Sequence, residues 1–111
     1  MIETFKLMIL LNKKENMTDE AFAEYWLKTH APLAKRMPGL RKYVVNVVKR
    51  PPNKEPEYDG VVELWFDDKE SMRTAFASTE GQAVQKDTEK FTSKITTMYI
   101  EEHPIMRTRE S

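Results

Sequence analysis

Three polar side chains occupy positions from which they could work on a small molecule. His30 stands in Tyr25-Trp26-Leu27-Lys28-Thr29-His30-Ala31-Pro32, at the end of a helical pattern. At about 100° per residue it falls about 60° from the centre of the apolar stripe, on the shoulder between core and cleft. Unpaired carbonyls at a helix end favour its cation, and burial favours the neutral ring. Either way the imidazole can titrate near neutrality and move protons. The structural alternative is a histidine that satisfies loose carbonyls beside Pro32. Glu63 interrupts the apolar run GVVELWF, where a carboxylate must pair, line a cavity or face solvent. If buried it would act as an acid or base; otherwise it is an exposed or dimer-paired strand carboxylate. Asn46 holds a similar place in YVVNVVK and either polarises a substrate carbonyl or bridges backbone groups.

Large rings accompany these groups. Trp26, Tyr43, Trp65 and Phe22, with Tyr25, suit the walls of a flat apolar pocket, although ordinary core packing explains the same residues. Asp59 before Gly60 reads as a turn residue. Met8, Met72 and Met98 read as adaptable core filling. His30 and His103 are the two histidines, and no two-histidine, one-carboxylate spacing falls on one element. No metal ligand and no cofactor is therefore expected. A haem, which needs one axial histidine, is a competing option through His30. No nucleophile triad and no glycine-rich phosphate loop is visible.

The elements that must position these groups follow from pattern. Phe5 to Leu11 is apolar throughout and reads as a strand covered on both faces. Thr18 caps a helix whose first turn carries Asp19 and Glu20. Phe22, Trp26, Thr29 and Leu33 form its inward stripe. Pro32 predicts a break between His30 and Pro32, then a short helical turn to about Met37. Pro38-Gly39 turns the chain into a strand over 40–49. Pro51, Pro52 and Pro56 make 50–57 a loop. Gly60 to Phe66 is a third strand. Asp67 or Asp68 caps a helix carrying Met72, Ala75 and Phe76 on one face, and Ser78 to Gly81 breaks it. A further helix to about Phe91 turns Val84, Thr88 and Phe91 inward, and Ile95 to Ile100 is the last strand. The order β-α-β-β-α-β predicts an α+β, ferredoxin-like four-stranded antiparallel sheet with its helices on one face. Strands apolar on both sides leave the other face as a large patch, which a homodimer packing sheet on sheet would cover.

Bulk composition narrows the partners. The 111 residues fit one domain, with a core over 4–102 and a tail over 103–111. Eighteen basic and eighteen acidic side chains cancel, so nucleic acid and anionic membrane are not expected partners. There is no cysteine, which excludes disulfides and thiolate sites. No apolar run approaches the ~20 residues of a membrane span, and MIETFKLMILLNKK reads as a strand rather than a signal peptide. A cytoplasmic protein is the expectation.

On this frame the chain resembles the EthD-like family, named for ethyl tert-butyl ether degradation, within the dimeric α+β barrel group. Trp26-x-x-x-His30-Ala31-Pro32-Leu33 carries the resemblance, followed by Pro38-Gly39-Leu40 with Tyr43 and by Tyr58-Asp59-Gly60 leading into Glu63-Leu64-Trp65-Phe66. Met72, Phe76 and Glu80-Gly81 continue it. The resemblance implies a ferredoxin-like protomer, a homodimer and a small-molecule cleft between helices and sheet. It implies no single reaction, because the barrel group includes monooxygenases without cofactors, isomerases, cyclases and haem-degrading enzymes. The expected function is an enzyme that acts by proton transfer on an apolar, aromatic or polyketide-like substrate, as an isomerase, a cyclase or a cofactor-independent oxygenase. His30, Glu63 and Asn46 are its candidate catalytic residues, and Trp26, Tyr43, Trp65 and Phe22 its candidate substrate contacts. A non-catalytic binding protein of a pathway and a haem protein are the alternatives.

Overall fold

A computed structural model describes residues 4–106 and 108. Four strands, β1 (Phe5–Lys13), β2 (Lys42–Val47), β3 (Gly60–Phe66) and β4 (Thr92–Ile100), form one antiparallel sheet in the order β2-β3-β1-β4. This is the ferredoxin-like arrangement that the element order predicts. Side chains alternate across each strand. On the helical face Leu64 lies between Leu7 and Tyr43, and Val62 between Ile9 and Val45. Met8, Glu63 and Val44 are neighbours on the opposite face. Among the described residues no helix lies over that second face, so FKLMILL is covered on one side within the protomer, not on both.

The helical layer begins at α1 (Asp19–Tyr25), where the Thr18 hydroxyl accepts from the Ala21 amide at 3.0 Å. The predicted break at Pro32 does not occur. A π-helical turn over Trp26–His30 runs directly into α2 (Ala31–Ala34), with the Ala31 amide reaching back to the Trp26 carbonyl. Proline removes one donor and its ring crowds the preceding turn. A wider turn just ahead of it makes room without breaking the helix. The extra residue in that turn also re-phases the helix. Phe22, Trp26, His30 and Ala34 are buried, whereas Thr29, which the stripe places inward, is exposed.

Gly39, at φ +80°, turns the chain toward β2. Gly60 lets the Trp26 ring lie against the start of β3: a Cβ there would come within 2.2 Å of the indole. Asp68 caps α3 (Lys69–Ala77), accepting from the Ser71 amide at 2.7 Å. The break predicted over Ser78 to Gly81 is Ser78 alone, whose hydroxyl caps α4 (Thr79–Thr88). The core is the layer between these helices and the sheet, filled by Leu7, Phe22, Trp26, Phe66, Ala75 and Phe91. Met72 joins it, but Met8 is half-buried on the open face and Met98 is exposed. No helix among the described residues is long and apolar enough to cross a membrane.

Candidate functional site

His30 reaches the interior because the π turn rotates it off the helix shoulder. Its ring is 6 % exposed, packed 4.7 Å from the Phe91 ring centroid. Nδ1 lies 2.8 Å from Oδ2 of Asp87, which is equally buried. The other carboxylate oxygen, Oδ1, accepts the Tyr25 hydroxyl at 2.7 Å, and Lys90 Nζ approaches it at 3.9 Å. Among the described residues no hydrogen bond reaches His30 Nε2. Burial holds the His30 pKa below its ordinary value, and the Asp87 carboxylate works against that. The Tyr25 phenol is pushed up to about 12, chiefly by its hydrogen bond to Asp87.

His30 opens onto a cleft of about 690 Å³ between the helices and the sheet. Leu7, Ile9, Val62, Phe76 and Phe91 make much of its wall, with Trp26 and Tyr43 among them. On the β4 side Ile95 and Tyr99 also line it and remain 46 % and 58 % exposed. Burial raises the Tyr43 phenol to about 12, opposed by the nearby Trp26 indole. The cleft has the size and apolar character of a small-molecule site. Charged groups occur at its rim, including Arg73, Glu89 and Lys94.

The sequence candidates divide between the two faces. His30, Trp26 and Tyr43 share the cleft. Phe22 does not: it lies behind, in the core, against Trp26 and Phe91. Glu63, Asn46 and Trp65 are on the open face, with the sheet between them and His30, because strand alternation sends them opposite to Leu64 and Val45. The three candidate catalytic groups therefore do not converge. Glu63 is held instead by Lys6 at 2.8 Å and by the Asn46 amide at 2.9 Å, and Lys6 foremost lowers its pKa. Trp65 lies between the Lys6 and Lys42 ammonium groups, 4.6 and 4.7 Å from its ring, and donates its indole N–H to Glu102 at 2.7 Å.

Asp87 is the residue that pattern reading overlooked. Its signal is nevertheless in the sequence: Val84, Asp87 and Phe91 recur at helical spacing, so one acid occupies an apolar stripe. Among the described residues no group of three or more His, Cys, Asp or Glu side chains is placed to hold a metal ion.

Sheet order and helix placement define a protein of the ferredoxin-like α+β class. The model of the EthD domain matches residues 14–95, and the chain belongs to that family. An EthD family protein from Bacillus halodurans C-125 is 37 % identical, with a TM-score of 0.78 over 90 % of this chain and 99 % of that one. Two more distant structures share the fold alone. A dimeric ferredoxin-like protein of unknown function from Thermobifida fusca is 13 % identical, with a TM-score of 0.70 over 88 % of this chain and 90 % of that one. Hydroxynitrile lyase from Passiflora edulis is 11 % identical, with a TM-score of 0.74 over 96 % of this chain and all, 100 %, of that one.

Proposed function

We propose that the protein is a small homodimeric enzyme that acts on an apolar, aromatic or polyketide-like molecule by proton transfer, as an isomerase, a cyclase or an oxygenase without a cofactor. The observation that carries this reading is one imidazole, engaged through Nδ1 with a buried carboxylate, at the wall of an apolar cleft of about 690 Å³. Burial among apolar walls favours the neutral, proton-accepting form of the imidazole, which is the form a general base needs. Trp26 and Tyr43 provide flat surfaces for a ring, and the remaining open-face candidates take no part in the chemistry. The homodimer is supported by the half-buried apolar side chains of Met8, Leu10, Val44 and Val61 on the helix-free face.

The test uses flat aromatic ketones, 1-indanone and 2-tetralone, incubated with the protein in D₂O. Loss of the proton signal next to the carbonyl is followed by NMR. Wild-type protein is expected to accelerate exchange about 10²-fold over buffer, and His30→Ala to remove that acceleration. Binding of the ketone with equal exchange in both proteins would overturn the enzymatic reading and leave a binding protein.

A further inference from the structure

We infer that Asp87 and Tyr25 are positioning residues that hold His30 as the Nδ1–H tautomer, leaving the Nε2 lone pair for the cleft, so that the site accepts a proton from a neutral carbon acid. The inference rests on the proton-transfer reading above and specifies its direction and substrate class. Three contacts carry it. The Tyr25 hydroxyl donates to Oδ1 at 2.7 Å, and Nδ1 is 2.8 Å from Oδ2. An ionised carboxylate only accepts, so the ring nitrogen facing it must carry the hydrogen. Phe91, 4.7 Å from the imidazole, fixes the ring plane. A neutral histidine with one N–H has a lone pair on its other nitrogen, and among the described residues no hydrogen bond occupies it.

The step balances without oxidant or co-reactant. A C–H bond next to a carbonyl breaks, an N–H bond forms at Nε2, and the electron pair stays on the ligand as an enolate. Return of the same proton to a different ligand atom makes the net change an isomerisation. For ring closure the enolate carbon first bonds to a second carbonyl carbon of the same ligand, that C=O π bond breaks, and its oxygen takes the proton. The imidazolium that forms in between faces the Asp87 carboxylate, which Tyr25 keeps oriented. The other titratable or charged groups around the ring and cleft are Lys90, Tyr43, Arg73, Glu89 and Lys94.

The chain has two histidines, so ¹⁵N-histidine labelling gives two ring systems, and His103→Gln assigns them. Long-range ¹H–¹⁵N spectra of the ligand-free full chain are expected to show His30 protonated at Nδ1 and bare at Nε2 at pH 7.5. Asp87→Asn removes the charge facing the ring and is expected to lower its proton affinity about tenfold. Tyr25→Phe leaves the carboxylate less satisfied and is expected to raise it about threefold while keeping the tautomer. A wild-type Nε2–H tautomer, or a His30 titration indifferent to both substitutions, would overturn the assignment. A merely structural Tyr25 would not move the titration. The outcomes separate the two proposals: a silent exchange assay with the tautomer intact overturns the enzymatic reading, whereas the wrong tautomer with active exchange overturns this one.

Discussion

The two faces of the sheet solve the same problem in opposite ways. Each holds a carboxylate and a basic side chain in an apolar setting, at 2.8 Å for His30–Asp87 and 2.8 Å for Lys6–Glu63. On the helical face the base has a second nitrogen without a hydrogen bond among the described residues, and a cleft beside it. On the open face every charge is taken up by neighbours: Glu63 by Lys6 and Asn46, Lys6 also by Glu102 and the Trp65 ring. A saturated cluster of that kind fixes geometry. An imidazole with one nitrogen engaged and one available can exchange protons. The strand carboxylate is thus held inside a cluster, whereas the helix carboxylate engages only one nitrogen of its basic partner.

The largest difference between the faces should appear on truncating the helical carboxylate. Asp87→Ala strands the His30 ring in the core and releases the half-buried Tyr25 hydroxyl. Breaking a buried pair from one side costs about 3 kcal/mol. Urea unfolding should show that loss as a lower midpoint with an unchanged slope. A cost below about 0.5 kcal/mol would mean that water replaces the carboxylate and that the pair is not closed to solvent.

The open face should respond in assembly, not in folding of the protomer. Leu10→Glu places a charge between Val61 and Thr96, which a partner sheet would have to desolvate. Sedimentation is expected to show at least about 10²-fold weaker self-association, by the cost of burying an unpaired charge. An unchanged sedimentation profile would remove the sheet-to-sheet dimer.

Acid should strip the faces one after the other. His30 has its folded pKa below its ordinary value of 6.5. The unfolded chain therefore binds a proton first, and this contribution is full above 6.5 and declines from there down to the folded pKa. Glu63 has a folded pKa below its ordinary 4.5, so its contribution is full above that value and is lost as pH falls through the folded pKa. Stability measured by urea against pH should fall in two windows. His30→Gln is expected to erase the upper one and Glu63→Gln to shrink the lower one, which Asp19, Asp67 and Asp68 share because each also has its pKa lowered.

Much of this layout was legible in the chain, and the failures share a cause. Thr18 and Asp68 announced their helices because a capping side chain acts on its own next few amides. Gly60–Phe66 was bounded by a glycine that the Trp26 ring requires and by aspartates that start a helix. Pro32 misled, since local chemistry says break where tertiary packing favours a widened turn. That one turn decides whether Thr29 or His30 faces the core. The separation of Glu63 and Asn46 from His30 depends on register and on which face the helices cover, both set by pairing over long sequence distances. Asp87 meets His30 across 57 residues, a contact with no local trace beyond one acid in an apolar stripe.

The smallest expected effect is also the one that tells whether the open face is covered. Glu63→Gln leaves Lys6 with Glu102 at 3.7 Å and with the Trp65 ring at 4.6 Å. Gln keeps an oxygen that can still accept from Asn46. In a free protomer the face is wet at its edge, so the loss should be no more than about 1 kcal/mol. If a partner sheet seals the cluster, the ammonium of Lys6 loses water as well as its carboxylate, and the cost rises toward about 3 kcal/mol. Unfolding Glu63→Gln over a hundredfold range of protein concentration separates the cases. A penalty that grows with concentration places the cluster inside an assembly, and a penalty that stays small and constant leaves it at the surface of a single chain.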